Sequence, residues 1–177
     1  MIASKVSKRY AKALFSLAQE DGKIPEYGQD LKGFVKIFQD YPEFAQAVSS
    51  RVFTLEDRKR ILEKVLESTP LSSLVKNFLH LLLDKGRIGV VGSMQGHYEK
   101  LTDEISNVAR AEVRTARPLK ADALGRLERA LGDLTSKKIK MEVREDRGLI
   151  GGIVVRIGDL VLDGSIKAHL RGLREPR

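Results

Sequence analysis

The chain has 177 residues, 42% of them hydrophobic, and it carries a formal net charge of +8 and no cysteine. Its length and apolar content suit one domain or two small ones, while the lack of cysteine excludes disulfides and thiolate metal sites. No segment approaches the roughly 20 continuous apolar residues that span a bilayer, and the first residues, which mix apolar with basic side chains, do not resemble a signal peptide.

The charge and the aromatic residues are distributed unevenly along the chain. Up to Ser106 there are 16 Lys and Arg against 14 Asp and Glu, and from Asn107 onward there are 16 against 10. All ten Tyr and Phe residues lie at or before Tyr98. Because the hydrophobic period changes at the same place, the sequence predicts a two-domain α+β chain, with a helical bundle at 1–106 and a small, basic α/β domain at 107–177.

Apolar residues at helical spacing predict six helices in the N-terminal part, packed as a bundle. The first, Ser4 to Glu20, is apolar over a wide arc. Two interpretations of that arc fit the sequence equally well. The helix is buried within the bundle, or one apolar stripe packs in the core and the other contacts a partner protein. The fifth, Ser72 to Lys85, is apolar nearly all round and must be buried on more than one side. The remaining predicted helices are Tyr27 to Gln39, a short one through Phe44 and Val48, one capped by Thr54, and one from about Val90 to Ile105.

The C-terminal part shows the period-two alternation of strands that bury one face. The predicted order of elements is β, α, β, β, β, α. The strands are predicted at 109–115, 139–143, 153–157 and 160–162, and an amphipathic helix at 122–136. A last helix is predicted to run through His169 and Leu170 and to end at Gly172.

Two glycine-containing pairs predict turns around the fourth strand. Gly158-Asp159 suits a two-residue hairpin turn, because glycine accepts the positive φ that such turns require. Asp163-Gly164 predicts another turn, after which Ser165 is the N-cap of the last helix. If Gly164 has positive φ, valine there costs about 1 to 3 kcal/mol.

The adjacent Gly151-Gly152 predicts a bulge or a close approach of another backbone. A phosphate-binding loop is the alternative for these glycines, but neither fingerprint fits. A dinucleotide loop follows a strand, whereas these glycines precede one, and the Gly-Lys-Ser/Thr of a P-loop is absent. The sequence therefore favours a structural role.

The residues that catalysis requires are scattered. The three histidines, His80, His97 and His169, fall on different predicted helices, and no nucleophile elbow or cluster at metal-ligand spacing occurs. On an apolar helix, a histidine such as His80 is more often an interior or groove residue than a ligand. The sequence predicts a non-catalytic protein with no cofactor and no metal.

Three motifs in order carry a family resemblance. The run GLIGGIVVRIGDLVLDGSIKAHLRGL resembles the C-terminal signature of the delta subunit of F-type ATP synthases, whose mitochondrial counterpart is the oligomycin-sensitivity-conferring protein. The segment Lys8 to Ala18 resembles the first helix of that family, and Asn77 to Ile88 is similar to a third family segment. Together the motifs extend over nearly the whole chain.

The resemblance implies a stator component that links the catalytic head to the peripheral stalk and supports proton-driven ATP synthesis. It implies a position on the cytoplasmic face of a bacterial cell membrane, with membrane contact only through the complex. In the family, the first and fifth helices form a groove for the N-terminal helix of an alpha subunit. The matching positions are Tyr10, Ala13, Leu14, Phe78, Leu81 and Leu82.

Two further expectations follow from the resemblance. The family's C-terminal domain meets the stalk b subunits, and a basic surface suits an acidic stalk end. Leu14→Glu is expected to weaken peptide binding by at least ~2 kcal/mol if Leu14 lies in the groove, and the neighbouring stripe at Phe15 is the alternative if Leu14 belongs to the core.

A nucleic-acid-binding protein is the alternative of another class. The sequence pI of about 9.7 and the basic C-terminal part are typical of proteins that bind nucleic acids. That part has no aromatic ring on which bases could stack, and it shows no helix-turn-helix or zinc-finger spacing. The sequence therefore favours protein partners and predicts no nucleic acid partner.

Overall fold

A computed structural model of the chain describes residues 2–50, 52–168 and 170. Its contacts divide the chain into two compact units, Met1–Thr102 and Asp103–Arg177, which we call the helical unit and the sheet unit. The fold is α+β, with the helices N-terminal and the sheet C-terminal. Within the described part of the chain, no helix combines the length and apolar character needed to traverse a bilayer.

The helical unit consists of consecutive helices joined by short connections. A 3₁₀ turn, Ile88–Val90, precedes the last of them, which ends at Ile105, three residues after the helical unit ends. The helices are α1 (Ile2–Glu20), α2 (Ile24–Asp40), α3 (Pro42–Ser49), α4 (Leu55–Glu67), α5 (Ser73–Asp84) and α6 (Val91–Ile105).

Local chemistry explains where these helices begin and end. Gly22 and Gly86 have positive φ, at 68° and 62°, and follow the ends of α1 and α5, where glycine adopts this conformation without a steric penalty. The N–H of Asp57 donates to Thr54 Oγ1 at 3.2 Å, which is the predicted cap of α4.

The core of the helical unit draws apolar side chains from every one of its helices. Tyr98 on α6 lies near its centre, 5.4 Å from the ring of Phe15, and its hydroxyl donates to the carbonyl of Ile24 at 2.9 Å. Burial raises the pKa of Tyr98 to about 12. The hydrogen bond removes the cost of burying the hydroxyl, so the ring contributes its full apolar area to the core.

The sheet unit is a four-stranded mixed sheet with the strand order β2-β1-β3-β4. β1 and β2 are parallel and are connected by α7, whereas β1 pairs antiparallel with β3 and β3 pairs antiparallel with β4. The elements are β1 (Val108–Thr115), α7 (Ala121–Thr135), β2 (Lys138–Glu145), β3 (Gly152–Ile157) and β4 (Leu160–Ser165).

Of the two predicted turns around β4, one is wrong. Gly158 and Asp159 connect β3 to β4, with Gly158 at φ 58°, as a two-residue hairpin requires. Asp163 and Gly164 lie inside β4, opposite Val154 and Ile153, and Gly164 is not among the glycines with positive φ. Pairing with β3 therefore overrides the turn preference of an Asp-Gly pair.

The end of β4 leads directly into helical residues. The N–H of Ser165 donates to Asp163 Oδ1 at 3.0 Å, and Ser165 Oγ accepts the N–H of Ala168 at 3.1 Å, so Ser165 caps the helical residues 166–168. The predicted continuation through His169 and the stop at Gly172 lie outside the described residues.

One ion pair connects the last turn of α6 to β1. Asp103 is only 9% exposed, and Arg110 donates to both of its carboxylate oxygens. We expect Asp103→Ala to lower the free energy of unfolding of the sheet unit by about 1 kcal/mol, because Arg110 is half exposed and regains water when the pair is lost. Hydrogen exchange in β1 measures this.

The exposed Glu104 is the matched control for Asp103, since it is an acid in the same turn. Equal protection of β1 in Asp103→Ala and Glu104→Ala would show that the buried carboxylate adds nothing to stability.

Candidate docking groove

The first helix buries one face and exposes the other. Ser7, Ala11, Leu14 and Ala18 are fully buried, and they recur at the spacing of one helix face. Beside this buried face Ala13 is exposed, and Leu17 keeps 38% of its surface in solvent. An exposed leucine beside an exposed alanine leaves an apolar stripe that the helical unit does not cover.

The fifth helix is divided in the same way. It contributes Leu79 and Leu82, both fully buried, to the core, while Leu81 is 42% exposed. His80 is half-buried, with Nε2 2.8 Å from Glu63 Oε2 on α4. The histidine is thus partnered by a neighbouring helix and does not line the exposed side.

A ring contact joins the two helices at the surface. Tyr10 on α1 and Phe78 on α5 meet edge to face, with centroids 6.2 Å apart and planes at 81°. Ala13 and Leu17 share the helix face of Tyr10, and Leu81 follows Phe78 by three residues on α5. We call the five residues Tyr10, Ala13, Leu17, Phe78 and Leu81 the α1–α5 strip.

The structure changes the membership of the predicted groove. Tyr10, Ala13 and Leu81 are accessible, and Phe78 lies beneath them at 7% exposed. Leu14 and Leu82 are both 0% exposed and belong to the core, so a docked helix cannot touch them in this structure. Phe15, the alternative stripe, is also buried, at 6%.

Leu17 is exposed beside Tyr10 on α1, and it was not among the predicted groove residues. The helical pattern placed it on one stripe with Tyr10 and Leu14, and its exposure alone distinguishes it from Leu14. No signal in the sequence separates the two, because both are leucines on the apolar arc of one helix.

Two glycines of the C-terminal signature allow a close approach of neighbouring segments. Gly152 has φ 87°, and a Cβ there would lie 2.2 Å from the carbonyl oxygen of Gly164. A Cβ on Gly151 would meet Ile166 Cδ1 at 2.5 Å. Both glycines therefore permit the end of β4 to approach the start of β3. Among the described residues, no group of three His, Cys, Asp or Glu side chains is placed to hold a metal ion.

Comparison with known proteins gives one consistent result. A family model described as ATP synthase delta (OSCP) subunit matches residues 6–176. The chain is 41% identical over 170 residues to an ATP synthase subunit delta of Syntrophobacter fumaroxidans, covering 96% of this chain and 93% of the relative. It is 39% identical over 171 residues to the subunit delta of Desulfatibacillum aliphaticivorans, covering 97% and 93%.

Solved structures share the fold. A chain in the cryo-EM structure of the Toxoplasma gondii mitochondrial ATP synthase hexamer aligns with a TM-score of 0.71 at 20% identity, covering 97% of this chain and 98% of that one. A chain in the Polytomella F-ATP synthase aligns with a TM-score of 0.51 at 21% identity, covering 54% and 84%. The first match shows that the arrangement of helices followed by a sheet extends over the full chain.

Proposed function

The chain belongs to the ATP synthase delta (OSCP) subunit family, and from this membership we propose that it connects the catalytic head of an ATP synthase to the peripheral stalk. It is a non-catalytic subunit. Its partners are the N-termini of the alpha subunits at one end and the b subunits of the stalk at the other. By holding the head against rotation it supports proton-driven ATP synthesis.

We further propose how the two units divide this work. Helices α1 to α6 form a single six-helix bundle that receives the alpha subunit, and a separate α/β domain, beginning near Asn107, meets the stalk. The fully buried side chains contributed by all six helices support a bundle that behaves as one rigid body. The complex holds the protein at the cytoplasmic face of a bacterial membrane, which it contacts only through its partners.

The α1–α5 strip is the observation that supports the proposed binding of the alpha subunit. Leu17 and Leu81 expose apolar surface beside the Tyr10–Phe78 ring contact. An amphipathic helix that lays its apolar face in such a strip buries these side chains and removes their surface from water. A few fully desolvated side chains, tyrosine prominent among them, carry most of the energy of an interface, and Tyr10 is placed to be one of them.

We expect Leu17→Glu and Leu81→Glu each to weaken the binding of an amphipathic alpha-subunit N-terminal peptide by at least ~2 kcal/mol, which is roughly thirtyfold. Both side chains are partly exposed already, so the carboxylate remains hydrated in the free protein and the fold is retained. Calorimetry with the full chain measures the change in affinity.

Leu55→Glu is the matched control, because Leu55 is 39% exposed and lies outside the α1–α5 strip, at the start of α4. Glutamate in the first turn of a helix is favourable, so this variant keeps its stability. The strip is not the docking site if Leu17→Glu and Leu81→Glu bind the peptide as tightly as Leu55→Glu does.

A further inference from the structure

The two faces of the sheet differ in cover and in charge. On one face the buried Ala111, Val113 and Val155 pack with Leu131 of α7. The alternate residues of β1, Arg110, Glu112 and Arg114, point to the opposite face, which the last turn of α6 contacts through the Asp103–Arg110 pair and which is otherwise accessible to solvent. We call this the open face.

The strand register places further charges on the open face. Lys140, Glu142 and Arg144 of β2 lie opposite Arg110, Glu112 and Arg114 of β1. Arg156 of β3 lies opposite Glu112, and Asp163 of β4 lies opposite Val154. With Lys138, the open face presents six cations and three acids, namely Arg110, Arg114, Lys138, Lys140, Arg144 and Arg156 against Glu112, Glu142 and Asp163.

The acids of the open face are already engaged by neighbours. Arg144 Nη2 donates to Glu142 Oε1 at 2.6 Å, and this hydrogen bond holds the pKa of Glu142 below its usual range. Arg114 Nε lies 3.9 Å from Glu112 Oε1. Asp163 accepts the N–H of Ser165. The face therefore offers no unengaged acid that would repel an anion.

Three cations of the open face are available to a partner. Lys138, Lys140 and Arg156 have no carboxylate within ion-pair distance in the described part of the chain. Lys140 and Arg156 line one cleft of about 510 Å³, together with Arg110 and the two engaged acids Glu112 and Glu142. Their strands flank β1, and Lys140 lies opposite Arg110 whereas Arg156 lies opposite Glu112, two residues further along, so their Cα atoms are about 12 Å apart across the sheet. Two turns of an α-helix span about 11 Å, which matches this spacing.

We propose that the open face is the docking surface for an acidic helix of the peripheral stalk, with Lys140 and Arg156 binding carboxylates two helical turns apart. This inference rests on the proposed function and adds the surface and the chemistry of contact. Charge complementarity selects the partner, because Lys138, Lys140 and Arg156 form no described ion pair, whereas Arg110, Arg114 and Arg144 already pair with acids. Val154 and Val161, at the same face, supply apolar surface between the charges.

The test uses the full chain and the soluble part of the b subunits as the probe. We expect the double variant Lys140→Glu, Arg156→Glu to bind at least about tenfold more weakly at low salt, with a smaller loss of affinity as salt is added. The control is Arg126→Glu, Arg129→Glu, which makes the same change of charge at exposed positions of α7 on the other side of the sheet. That control should bind within about twofold of the unchanged chain.

Binding of the alpha-subunit peptide separates the failure of this inference from the failure of the proposed function. If the unchanged chain binds neither the peptide nor the b subunits, the proposed function is wrong and the inference with it. If it binds both, and the Lys140, Arg156 variant binds the b subunits normally or the α7 control loses as much, the open face is not the docking surface. If the Lys140, Arg156 variant loses affinity for duplex DNA but keeps its affinity for the b subunits, the open face is instead a nucleic-acid-binding surface.

Discussion

Replacing Gly152 with alanine is expected to lower the free energy of unfolding of the sheet unit by at least about 3 kcal/mol. Two costs combine at this position. Its φ of 87° lies in a region that side chains other than glycine rarely adopt, and the new Cβ would lie 2.2 Å from the carbonyl oxygen of Gly164. The clashing atom belongs to the backbone of β4, so relief requires the strand pair to separate.

Gly158→Ala is the control for backbone strain alone. Gly158 also has positive φ, at 58°, but a Cβ there meets nothing within 4 Å, so we expect a cost of about 1 kcal/mol. Hydrogen exchange in β3 and β4 reports the sheet unit. All four tyrosines precede residue 103, so tyrosine fluorescence reports the helical unit separately. A Gly152→Ala chain whose sheet is as stable as that of Gly158→Ala would refute the close approach.

The glycines show what local sequence can and cannot predict. The adjacent pair Gly151-Gly152 indicated a bulge or a close approach of another backbone, and the structure shows a close approach of Gly164 to Gly152. The same local rules assigned a turn to Asp163-Gly164, which is wrong because cross-strand hydrogen bonds to β3 extend β4 through this pair. A turn preference depends on a few neighbouring residues, whereas the pairing of a strand depends on contacts with residues far away in the sequence.

The helical periodicity predicted the elements of the first unit well and the exposed face of α1 poorly. Leu14 and Leu17 are three residues apart and share an apolar arc, yet Leu14 is 0% exposed and Leu17 is 38% exposed. The difference is set by which neighbours pack on α1, and α2 and the 3₁₀ turn at Ile88–Val90 both do. Hydrophobic periodicity predicts which side of a helix faces the core. It does not predict which residues at the border of that side remain exposed.

The difference in burial between Leu14 and Leu17 predicts that the same substitution destabilises the protein far more at Leu14. We expect Leu14→Glu to lower the free energy of unfolding of the helical unit by at least about 4 kcal/mol, which is comparable to the whole stability of a small domain. Truncating a fully buried leucine already costs about 2 to 5 kcal/mol. A carboxylate at this site adds the cost of burying an unpaired charge, which is relieved only by protonation or by unfolding. Tyrosine fluorescence and circular dichroism during urea unfolding measure the loss.

Leu17→Glu is the matched control, because it makes the same substitution one turn away on the same helix. Leu17 is partly exposed, so the charge stays in water and the expected loss of stability is within about 1 kcal/mol. The pair of variants therefore separates folding from docking: Leu14→Glu loses the helical unit, whereas Leu17→Glu keeps it and loses the peptide. If Leu14→Glu unfolds at the same urea concentration as Leu17→Glu, Leu14 faces solvent, and the core side of α1 must be assigned to another stripe.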